Sequence, residues 1–316
     1  MHALIFSDFH FHLWKDHNSQ NRRTKMQLGV FEGLLKQAMG LKVPIFFSGD
    51  IFHTPDGLSN ELLNLVLPNL LELFRKYPVD FYAITGNHDA ESFNTLSRRS
   101  NSYITLLANS IQRFHVIDFE TVIVGDLAVH GVPYITMNQD YPEIIEGIKI
   151  VKGKFNILMN HADYRGQKDT NGVVIGRGEN ITNDMFDKFD MVWSGHVHKP
   201  GLLHNNTYSI GSPFQQRTSD MGGEFGYWTL KKKFRMQFHE LRTPRFVYYE
   251  DRSEINNGID YWIKKPKENL EQDPDLITLE DLKDRKQVIQ QYMRFSHNRS
   301  RSEKLILTQL LAEIEV

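Results

Sequence analysis

Seven residues of metal-binding types lie in five short blocks, each at or near the end of an apolar run. Histidine nitrogens combined with aspartate and asparagine oxygens suit a transition-metal ion better than Ca²⁺, which prefers oxygen ligands alone. The blocks are SDFH, GDIFH, GNHD, NHAD and GHVH. Their candidate metal ligands are Asp8, His10, Asp50, Asn87, His161, His196 and His198.

The spacing within these blocks indicates a site for two metal ions. Asp8 and His10 are two residues apart, so an extended chain presents both on one face. His196 and His198 have the same spacing and can serve one ion each, while the two oxygens of Asp50 can bridge both ions. Two ions about 3.5–4 Å apart lower the pKa of a bridging water, and the resulting hydroxide attacks phosphorus in line. We therefore expect hydrolysis of phosphate esters with Mn²⁺ or Fe²⁺, and Zn²⁺ or Mg²⁺ as alternatives.

Three further residues are candidates for catalysis. His88 follows Asn87, where it can contact a phosphate or leaving-group oxygen, and Asp89 is a candidate to hold the His88 imidazole in one tautomer. His53 is a candidate for phosphate contact or for positioning the substrate strand. Isolated histidines are more often ordinary surface or core residues, and we assign the others to that class: His2, His12, His17, His115, His130, His204, His239 and His297.

The elements that position these blocks alternate in the first half of the chain. Buried strands are predicted at 2–7, 43–48 and 79–85, and amphipathic helices at 24–40 and 58–76. Gly40 is predicted to cap the first helix, and Pro68 to kink or break the second. The β-α-β-α-β order implies right-handed crossovers and a largely parallel sheet.

Shorter strand-like segments follow residue 111 and lead to an α/β fold class. They are HVID, TVIVG, LAVHGV, FNILMN, FDMVWS, TYSIGS and FGYWTL. We expect a four-layer α/β/β/α sandwich of two mixed β-sheets flanked by helices, with a C-terminal helical appendage. Ligands in such folds gather beyond the carboxyl ends of strands, and five of the blocks' residues follow predicted strands closely. These are Asp8, Asp50, Asn87, His161 and His196.

Three regions are predicted along the chain. Residues 1–245 form a catalytic domain, 246–277 a linker or minimal cap, and 278–316 a helical tail. The tail has a capping-box-like start at Thr278 and two amphipathic stripes, which make it a candidate docking segment for a partner. The alternative is that these helices pack on their own catalytic domain.

Composition limits the classes of partner and compartment. The net charge of −2 excludes the global basic field of a protein that binds DNA by charge alone, so local basic patches or a partner must supply affinity for nucleic acid. The chain has no cysteine and no apolar run near the ~20 residues of a membrane span. The N-terminal segment also lacks a basic region and a cleavage site, so we expect a cytoplasmic protein with no membrane partner.

The motifs resemble those of the calcineurin-like metallophosphoesterases, whose pattern is DxH, GDxx[DH], GNH[DE], H and GHxH. Every element is present within roughly residues 1–245. GDIFHTPDGLS, GNHD and the GSP block after GHVH are most similar to the nuclease subunit of the DNA double-strand-break repair complex. That group includes the bacterial SbcD type and phage recombination endonucleases. Phosphoprotein phosphatases instead carry an acidic residue followed by Arg-Gly after the GD block, and GNHE.

The resemblance implies a role for each site residue. It assigns one metal to Asp8, His10 and His198, and the other to Asn87, His161 and His196. Asp50 would bridge, His88 would act on the leaving group, and His53 would contribute to nuclease action. The resemblance further implies Mn²⁺, DNA as substrate in recombination or repair, and a coiled-coil ABC-type ATPase bound through the C-terminal helices. Related nucleases also often form homodimers.

One departure from the group concerns substrate selection. Larger members carry an α/β capping domain before the partner-binding helices, whereas only about 30 residues separate position 246 from the first tail helix. A cap is therefore absent or minimal, as in a compact phage or bacterial version acting in the bacterial or phage-infected cytoplasm. Basic residues in predicted loops or edges are candidates for DNA contact: Arg98, Arg99, Arg165, Lys168, Arg177, Arg217 and Lys231–Lys233.

Three functions remain open from the residues. A DNA exo- or endonuclease is favoured by GDIFH and the tail. A phosphodiesterase or phosphatase for a small nucleotide-like substrate has the same site chemistry and is mildly favoured by the near-neutral charge. A non-enzymatic scaffold derived from a phosphoesterase is opposed by the complete ligand set.

Overall fold

A computed structural model describes most of the chain before residue 265. The described residues are 1–14, 19–53, 58–89, 103–135, 140–162, 164, 181–250 and 260–264. The chain divides into Met1–Lys264 and Lys265–Val316, and the second unit lies wholly outside the described residues. The predicted tail at 278–316 is therefore not described, nor is most of the predicted linker at 246–277. Among the described helices, none is long and apolar enough to cross a membrane.

Two six-stranded sheets carry the fold. The strands of the described chain are β1 (Ala3–Phe6), β2 (Ile45–Phe47), β3 (Phe81–Ala83), β4 (Phe114–Val116), β5 (Thr121–Val124), β6 (Leu127–Val132), β7 (Phe155–His161), β8 (Met191–Gly195), β9 (Gly201–His204), β10 (Thr207–Ser209), β11 (Gly226–Lys231), β12 (Arg235–Glu240), β13 (Phe246–Tyr249) and β14 (Tyr261–Lys264). The first sheet has the order β12-β11-β1-β2-β3-β4 and the second the order β5-β6-β7-β8-β10-β9.

Both sheets are mixed. β1 to β4 run parallel, whereas β11 is antiparallel to β1 and to β12. In the second sheet β6, β7, β8 and β10 run parallel, and the edge strands β5 and β9 are antiparallel to their neighbours. The largely parallel sheet expected for the first half is thus correct for β1 to β4, with an antiparallel pair added from the later chain.

The layers are separated by apolar cores. Successive side chains of a strand point to opposite faces, and β1 shows the consequence. Leu4 and Phe6 pack in a core with the helices on the outer side of the first sheet, whereas Ala3 and Ile5 pack in a second core with side chains of the other sheet. A third core covers the outer face of the second sheet. These cores confirm the predicted four-layer α/β/β/α sandwich.

Helices flank both sheets. They are α1 (Arg22–Leu41), α2 (Asn60–Lys76), α3 (Tyr103–Ser110) and α4 (Tyr141–Gly147). Gly40 does not cap α1, because the helix continues to Leu41 and Lys42 takes the left-handed position at φ 55°. The Lys42 N–H donates to the carbonyls at the helix end, as a C-terminal cap does. Pro68 does not break α2, which runs through it without interruption.

A small parallel sheet lies within the segment predicted as linker or minimal cap. β13 pairs with β14 in the register Phe246↔Tyr261 to Tyr249↔Lys264. The Phe246 N–H donates to Gln215 Oε1 at 2.6 Å, and the rings of Phe246 and Tyr261 lie 5.3 Å apart. This part of the segment is therefore packed on the catalytic fold.

Candidate metal centre

The seven predicted ligands converge where the carboxyl ends of the two sheets meet. Asp8, Asp50 and Asn87 lie just beyond β1, β2 and β3 of the first sheet. His161 ends β7 and His196 directly follows β8 in the second sheet. The side chains at 8, 10, 50 and 161 are buried, and those at 87, 196 and 198 are partly exposed, so protein encloses most of the site.

Four ligands hold a backbone conformation that non-glycine residues rarely adopt. The φ angles are 52° at Asp8, 49° at His10, 65° at Asp50 and 84° at His196. Positive φ is uncommon outside glycine and tends to cluster at functional sites, where the surrounding packing maintains it. These backbones turn sharply just after their strands, which directs the ligand side chains into one space.

Asp8, His10 and His198 form the first ligand group. Their ligand atoms lie within 4.8 Å of one another, and His10 Nε2 is 3.9 Å from Asp8 Oδ1. His10 Nε2 is buried and has no hydrogen-bond partner among the described residues. A buried polar nitrogen without a hydrogen bond lowers the stability of the fold. A metal ion bound to this nitrogen would satisfy it.

Asn87, His161 and His196 form the second group. The Asn87 Oδ1 oxygen is 2.9 Å from His161 Nε2 and 3.0 Å from His196 Nδ1. The rings of the two histidines lie 5.2 Å apart in an edge arrangement. One amide oxygen and two imidazole nitrogens thus converge from three different segments, as the N/O ligands of a divalent metal do.

Asp50 joins the two groups. Its Oδ2 atom lies 3.5 Å from His10 Nε2 and 3.3 Å from His161 Nε2, one histidine from each group. Its Oδ1 atom accepts the His88 backbone N–H at 2.8 Å. A carboxylate oxygen between the two sets of nitrogens is positioned to bridge two ions.

The electrostatics of the centre favour cations. Burial alone would raise the pKa of Asp50, but the His161 and His10 imidazoles overcome it and hold that pKa well below its usual range. Burial opposes protonation of His161, yet Asp50 and Asp8 raise its pKa to about 9. A divalent ion would replace this proton, because imidazole must be neutral to bind a metal. The donor set, the unpartnered nitrogen and this charge balance fit two divalent cations.

Hydrogen bonds behind the ligands fix their tautomers. The His161 Nδ1–H donates to the Ser48 carbonyl at 2.7 Å, which leaves Nε2 for a metal. The His198 Nδ1–H donates to Asp220 Oδ2 at 3.3 Å, with the same result. Asp220 Oδ2 also accepts the Gln216 N–H at 2.9 Å, and Gln216 Nε2 donates to the Asp8 carbonyl at 2.9 Å. Such partners orient metal-binding imidazoles and raise their basicity.

Two glycines allow the loops to approach closely. Gly49 has a φ of 95°, which supports the tight turn predicted before Asp50. A Cβ on Gly86 would lie 2.1 Å from Asp50 Oδ1 and 2.5 Å from Asp50 N. Only glycine can bring the Asn87 loop this close to the Asp50 carboxylate.

Asp89 does not orient His88 as expected. Its carboxylate is fully buried and accepts backbone N–H groups of Asp50 at 2.7 Å, Ile51 at 2.9 Å and Gly86 at 3.0 Å. The His88 Nδ1–H instead donates to the His53 carbonyl at 2.6 Å. A carboxylate already accepting several backbone donors ties the Asp50 and Asn87 loops together, so Asp89 supports the centre through the backbone.

His88 and His53 lie beside the first ligand group. The His88 ring is 4.8 Å from the His10 ring, and His53 Nδ1 is 3.4 Å from His10 Nδ1. Burial and the nearby His12 and His88 imidazoles lower the pKa of His53 to about 4, so its ring is neutral at pH 7. His12, which we assigned to the ordinary histidines, is in this cluster, with its ring 4.7 Å from that of His53.

Most predicted DNA-contact residues cannot be placed. Arg98, Arg99, Arg165, Lys168 and Arg177 lie outside the described residues. Arg217 is exposed and its Nε lies 3.9 Å from Asp220 Oδ1, next to the partner of His198. Lys231–Lys233 lie where β11 ends and turns into β12, with Lys232 and Lys233 exposed.

Sequence reasoning missed several residues of the centre. Asp220 lies 22 positions after His198 in a stretch without regular spacing, so no pattern connects the two. Tyr134 packs beside the second group, with its ring 6.0 Å from His196 and 6.2 Å from His161. The acidic Asp220 after the GSP block was visible in the sequence, but its partner could be identified only from the fold.

A model of a known protein family matches the part of the chain that contains this site. The family model described as calcineurin-like phosphoesterase matches residues 1–200, which include all seven ligands. The chain therefore belongs to the calcineurin-like phosphoesterase family.

Individual relatives are distant. The D subunit of the nuclease SbcCD from Staphylococcus saprophyticus is 26% identical over 227 residues, which cover 62% of this chain and 57% of that protein. The chain thus matches little more than half the length of this curated relative. Among solved structures, a dimetal phosphatase from Danio rerio has a TM-score of 0.44 at 10% identity, covering 72% of this chain and 90% of that one. A hypothetical protein from Thermus thermophilus has a TM-score of 0.38 at 15% identity, covering 67% and 76%.

Proposed function

We propose that this protein is a dimetal-dependent phosphodiesterase that cleaves DNA as an exo- or endonuclease. The observation that carries the proposal is the position of Asp50 Oδ2 between His10 Nε2 and His161 Nε2, within reach of both ligand groups. Similarity to one subunit of the nuclease SbcCD supports DNA as the substrate. Membership of the phosphoesterase family supports the ester hydrolysis itself.

The residues of the chain divide the work. Asp8, His10 and His198 would hold one ion, Asn87, His161 and His196 the other, and Asp50 both. When bound, the two ions would activate water and neutralise charge on the phosphate. We propose Mn²⁺ for both positions, because the mixed N/O ligand set suits it.

His88 is the proposed proton donor to the leaving oxygen. Its Nδ1–H is engaged by the His53 carbonyl at 2.6 Å, so Nε2 is the ring nitrogen available to the substrate. The ring lies 4.8 Å from that of His10, beside the first ligand group. Donation from Nε2 as the P–O bond breaks would stabilise the leaving alkoxide. His53 would hold His88 and line the path of the phosphate.

Assembly is a further part of the proposal. The curated relative is one subunit of the nuclease SbcCD, which supports a partner for this chain as well. We propose that the segment 278–316 binds a coiled-coil ABC-type ATPase, and that the protein acts in DNA recombination or repair in the bacterial or phage-infected cytoplasm. Homodimerisation is part of the same proposal. Pull-down of the full chain and of a variant ending at Lys264 against the ATPase tests the tail.

Cleavage of DNA tests the substrate. Linear duplex and single-stranded DNA are incubated with the metal-free protein and Mn²⁺, Mg²⁺ or EDTA, beside the variants Asn87→Ala and His88→Ala. His204→Ala is the matched control, because His204 is exposed on edge strand β9. We expect Mn²⁺-dependent degradation that both site variants lose and the control keeps.

The second candidate is a phosphodiesterase for a small nucleotide-like molecule. The net charge of −2 favours it mildly, since long nucleic acids are usually bound through basic fields. A chromogenic diester in the same assay separates the candidates. Hydrolysis of the diester with DNA untouched, even in the presence of the ATPase, would favour the small substrate.

A further inference from the structure

Trp14 connects a buried arginine to the histidines beside the metal centre. The Arg23 guanidinium carbon lies 3.8 Å from the centroid of the Trp14 ring. The His53 ring stacks on Trp14 with centroids 5.9 Å apart and planes inclined by 27°. His53 in turn stacks on His88, with centroids 5.2 Å apart and planes inclined by 12°. Arg23, Trp14, His53 and His88 thus form a connected series of planar groups, which we call the Arg23–His88 stack.

The far end of this stack is rigidly held. Arg23 is 1% exposed, and its Nη2 donates to the carbonyls of Gln215 at 3.1 Å and Gln216 at 3.4 Å. The guanidinium also lies over the rings of Phe246 at 4.6 Å and Tyr261 at 4.8 Å. Guanidinium groups stack favourably on aromatic faces, particularly when water is excluded. The arginine is therefore a fixed support for Trp14.

The near end needs such support. The Nδ1–H of His88 donates to the His53 carbonyl, which fixes one ring atom but still permits the ring plane to tilt about that bond. The nearly parallel His53 ring restricts this tilt, and His53 is itself packed against Trp14 and His12. A catalytic group must be held within about 0.5 Å and 10–20° of its productive geometry.

We propose that Trp14 is a positioning residue, which acts through His53 to hold the His88 imidazole in the plane from which Nε2 protonates the leaving oxygen. The proposal rests on the role of His88 given under Proposed function. In the step concerned, the water oxygen forms a bond to phosphorus, the P–O bond to the leaving group breaks, and His88 gives a proton to the leaving oxygen. The proton that the water loses restores His88 to its starting state. The competing explanation is that Trp14 only stabilises the fold.

Two diesters that differ only in the leaving group separate these explanations. In methyl 4-nitrophenyl phosphate the leaving group is a weak base and departs without a proton. In methyl phenyl phosphate it is a stronger base and gains from protonation. Loss of His88 positioning must slow the second substrate more than the first. A smaller fraction of folded, metal-loaded protein slows both equally. Neither substrate requires the protein to cleave DNA.

The variants are Trp14→Leu, Trp14→Phe, His88→Asn and the double variant Trp14→Leu/His88→Asn. Trp14→Phe keeps a planar ring and removes no described hydrogen bond, because the buried indole N–H has no partner among the described residues. Tyr248→Leu is the control for loss of an aromatic ring, since Tyr248 is 45% exposed on β13. Metal content and thermal unfolding are measured for each.

We expect Trp14→Leu to lower kcat for methyl phenyl phosphate on the order of 10-fold with KM unchanged, a fraction of the ~10²–10⁴-fold that a general acid contributes. The nitrophenyl substrate should change by less than about 2-fold, and Trp14→Phe should restore the phenyl rate. The double variant should lose no more than His88→Asn, because residues acting as one unit are non-additive.

Equal losses on both substrates, or additive losses in the double variant, would overturn the proposal and leave Trp14 with a structural role alone. If His88→Asn itself shows no dependence on the leaving group, the proposed role of His88 fails and the positioning role fails with it. If His88→Asn is selective and Trp14→Leu is not, only the positioning role is wrong.

Discussion

At the residue scale, the centre depends on hydrogen-bond acceptors that bind the Nδ1–H groups of its histidines. Asp220 accepts the Nδ1–H of His198, and the Ser48 carbonyl accepts that of His161. Both hydrogen bonds leave Nε2 of the ring for the ion. Burial alone would raise the pKa of Asp220, but His198 and the backbone N–H groups of Gln216 and Arg217 lower it below its usual value. This carboxylate is therefore ionised at neutral pH.

Replacing Asp220 by Asn should weaken metal binding. The amide keeps the shape of the side chain but removes the negative charge that makes the His198 imidazole a better ligand. Loss of such a partner typically costs about 10–100-fold in metal affinity or activity. Isothermal titration with Mn²⁺ should show this loss for one of two sites, and Asp126→Asn, at an exposed turn, should show none. Unchanged affinity in Asp220→Asn would separate Asp220 from the metal centre.

A second carboxylate gives a pH-dependent stability. Burial raises the pKa of Asp118 from 3.8 to about 6, while hydrogen bonds from the Thr85 N–H at 2.9 Å and hydroxyl at 2.6 Å oppose the shift. The Asp118 carboxyl therefore holds its proton more tightly in the folded protein than in the unfolded chain. The stabilisation is complete below pH 3.8 and is lost as pH rises through about 6.

Asp118→Asn should remove this loss, because the amide is neutral and can both accept from the Thr85 N–H and donate to its hydroxyl. From the size of the pKa shift, we expect the free energy of unfolding of Asp118→Asn to exceed that of wild type by roughly 1–3 kcal/mol at pH 7.5. At pH 4 the gain should be much smaller. Urea denaturation in EDTA at both pH values measures the difference, and a gain that is the same at both would contradict the assigned cause.

The convergence of the candidate ligands could be predicted from sequence, because Asp8, Asp50 and Asn87 follow parallel strands of one sheet, and His161 and His196 lie at the ends of two neighbouring parallel strands of the other. The partners could not. Asp220 acts on His198 through an irregular segment, and Asp89 binds backbone N–H groups of Asp50 and Ile51 rather than His88. Hydrogen bonds to the backbone depend on which loops lie close together in space. No periodicity in the sequence predicts that proximity.

At the element scale, α2 contains a proline in its interior. Pro68 lacks an N–H and crowds the preceding turn, yet α2 is uninterrupted because Leu62, Val66, Leu70 and Phe74 bury one face of the helix. Tertiary packing thus outweighs the local preference for a break at Pro68.

Pro68→Ala should therefore stabilise the protein. Pro68 is exposed, so no packing is lost, and the helix regains a hydrogen bond. Proline in a helix interior costs about 3 kcal/mol relative to alanine, and we expect a gain of roughly 1–3 kcal/mol in unfolding free energy with unchanged activity. Glu72→Ala, on the same helix and away from its buried face, should change stability by less than about 0.5 kcal/mol. A loss of stability in Pro68→Ala would show that the ring makes a favourable contact.

The loop after β3 gives the opposite prediction. A methyl group on Gly86 would collide with the backbone and carboxylate of Asp50, so Gly86→Ala should displace the Asn87 loop from Asp50. We expect at least about 10-fold loss of activity, partly restored by excess Mn²⁺. Gly29→Ala, in α1 with nothing within 4 Å, should instead stabilise the helix by about 0.5–1 kcal/mol. Full activity in Gly86→Ala would mean that the loops can separate without loss of the site.

Elements with a clear apolar pattern were predictable, including short strands such as β4, β5 and β10, whereas α4 and β9 were not. The residues of α1 and α2 have strong helical spacing, and β1 and β2 are continuous apolar runs. α4 has only seven residues, and β9 exposes three of its four, so neither has an apolar pattern above the background of a loop. The cap of α1 was also predicted at the wrong residue, Gly40 instead of Lys42. The end of a helix depends on the backbone of a single residue, which the helical spacing does not fix.

At the scale of the whole molecule, the two sheets bring together ligands that are nearly 190 residues apart. The Asp8 carboxylate accepts the His196 backbone N–H at 3.1 Å and 3.2 Å, which ties the first sheet to the second at the centre. Each group of candidate ligands draws on both sheets, so the site exists only in the folded sandwich. Metal binding should therefore stabilise the sandwich as a whole.

A titration of the metal-free protein with Mn²⁺ tests the dimetal centre directly, with hydrolysis of a chromogenic diester and metal binding recorded in parallel. We expect two ions to bind per chain, hydrolysis to require both, and Asp50→Asn to impair the two sites together. Saturation at one ion per chain, full activity after the first ion, or two bound ions without hydrolysis would contradict the dimetal phosphodiesterase proposed here.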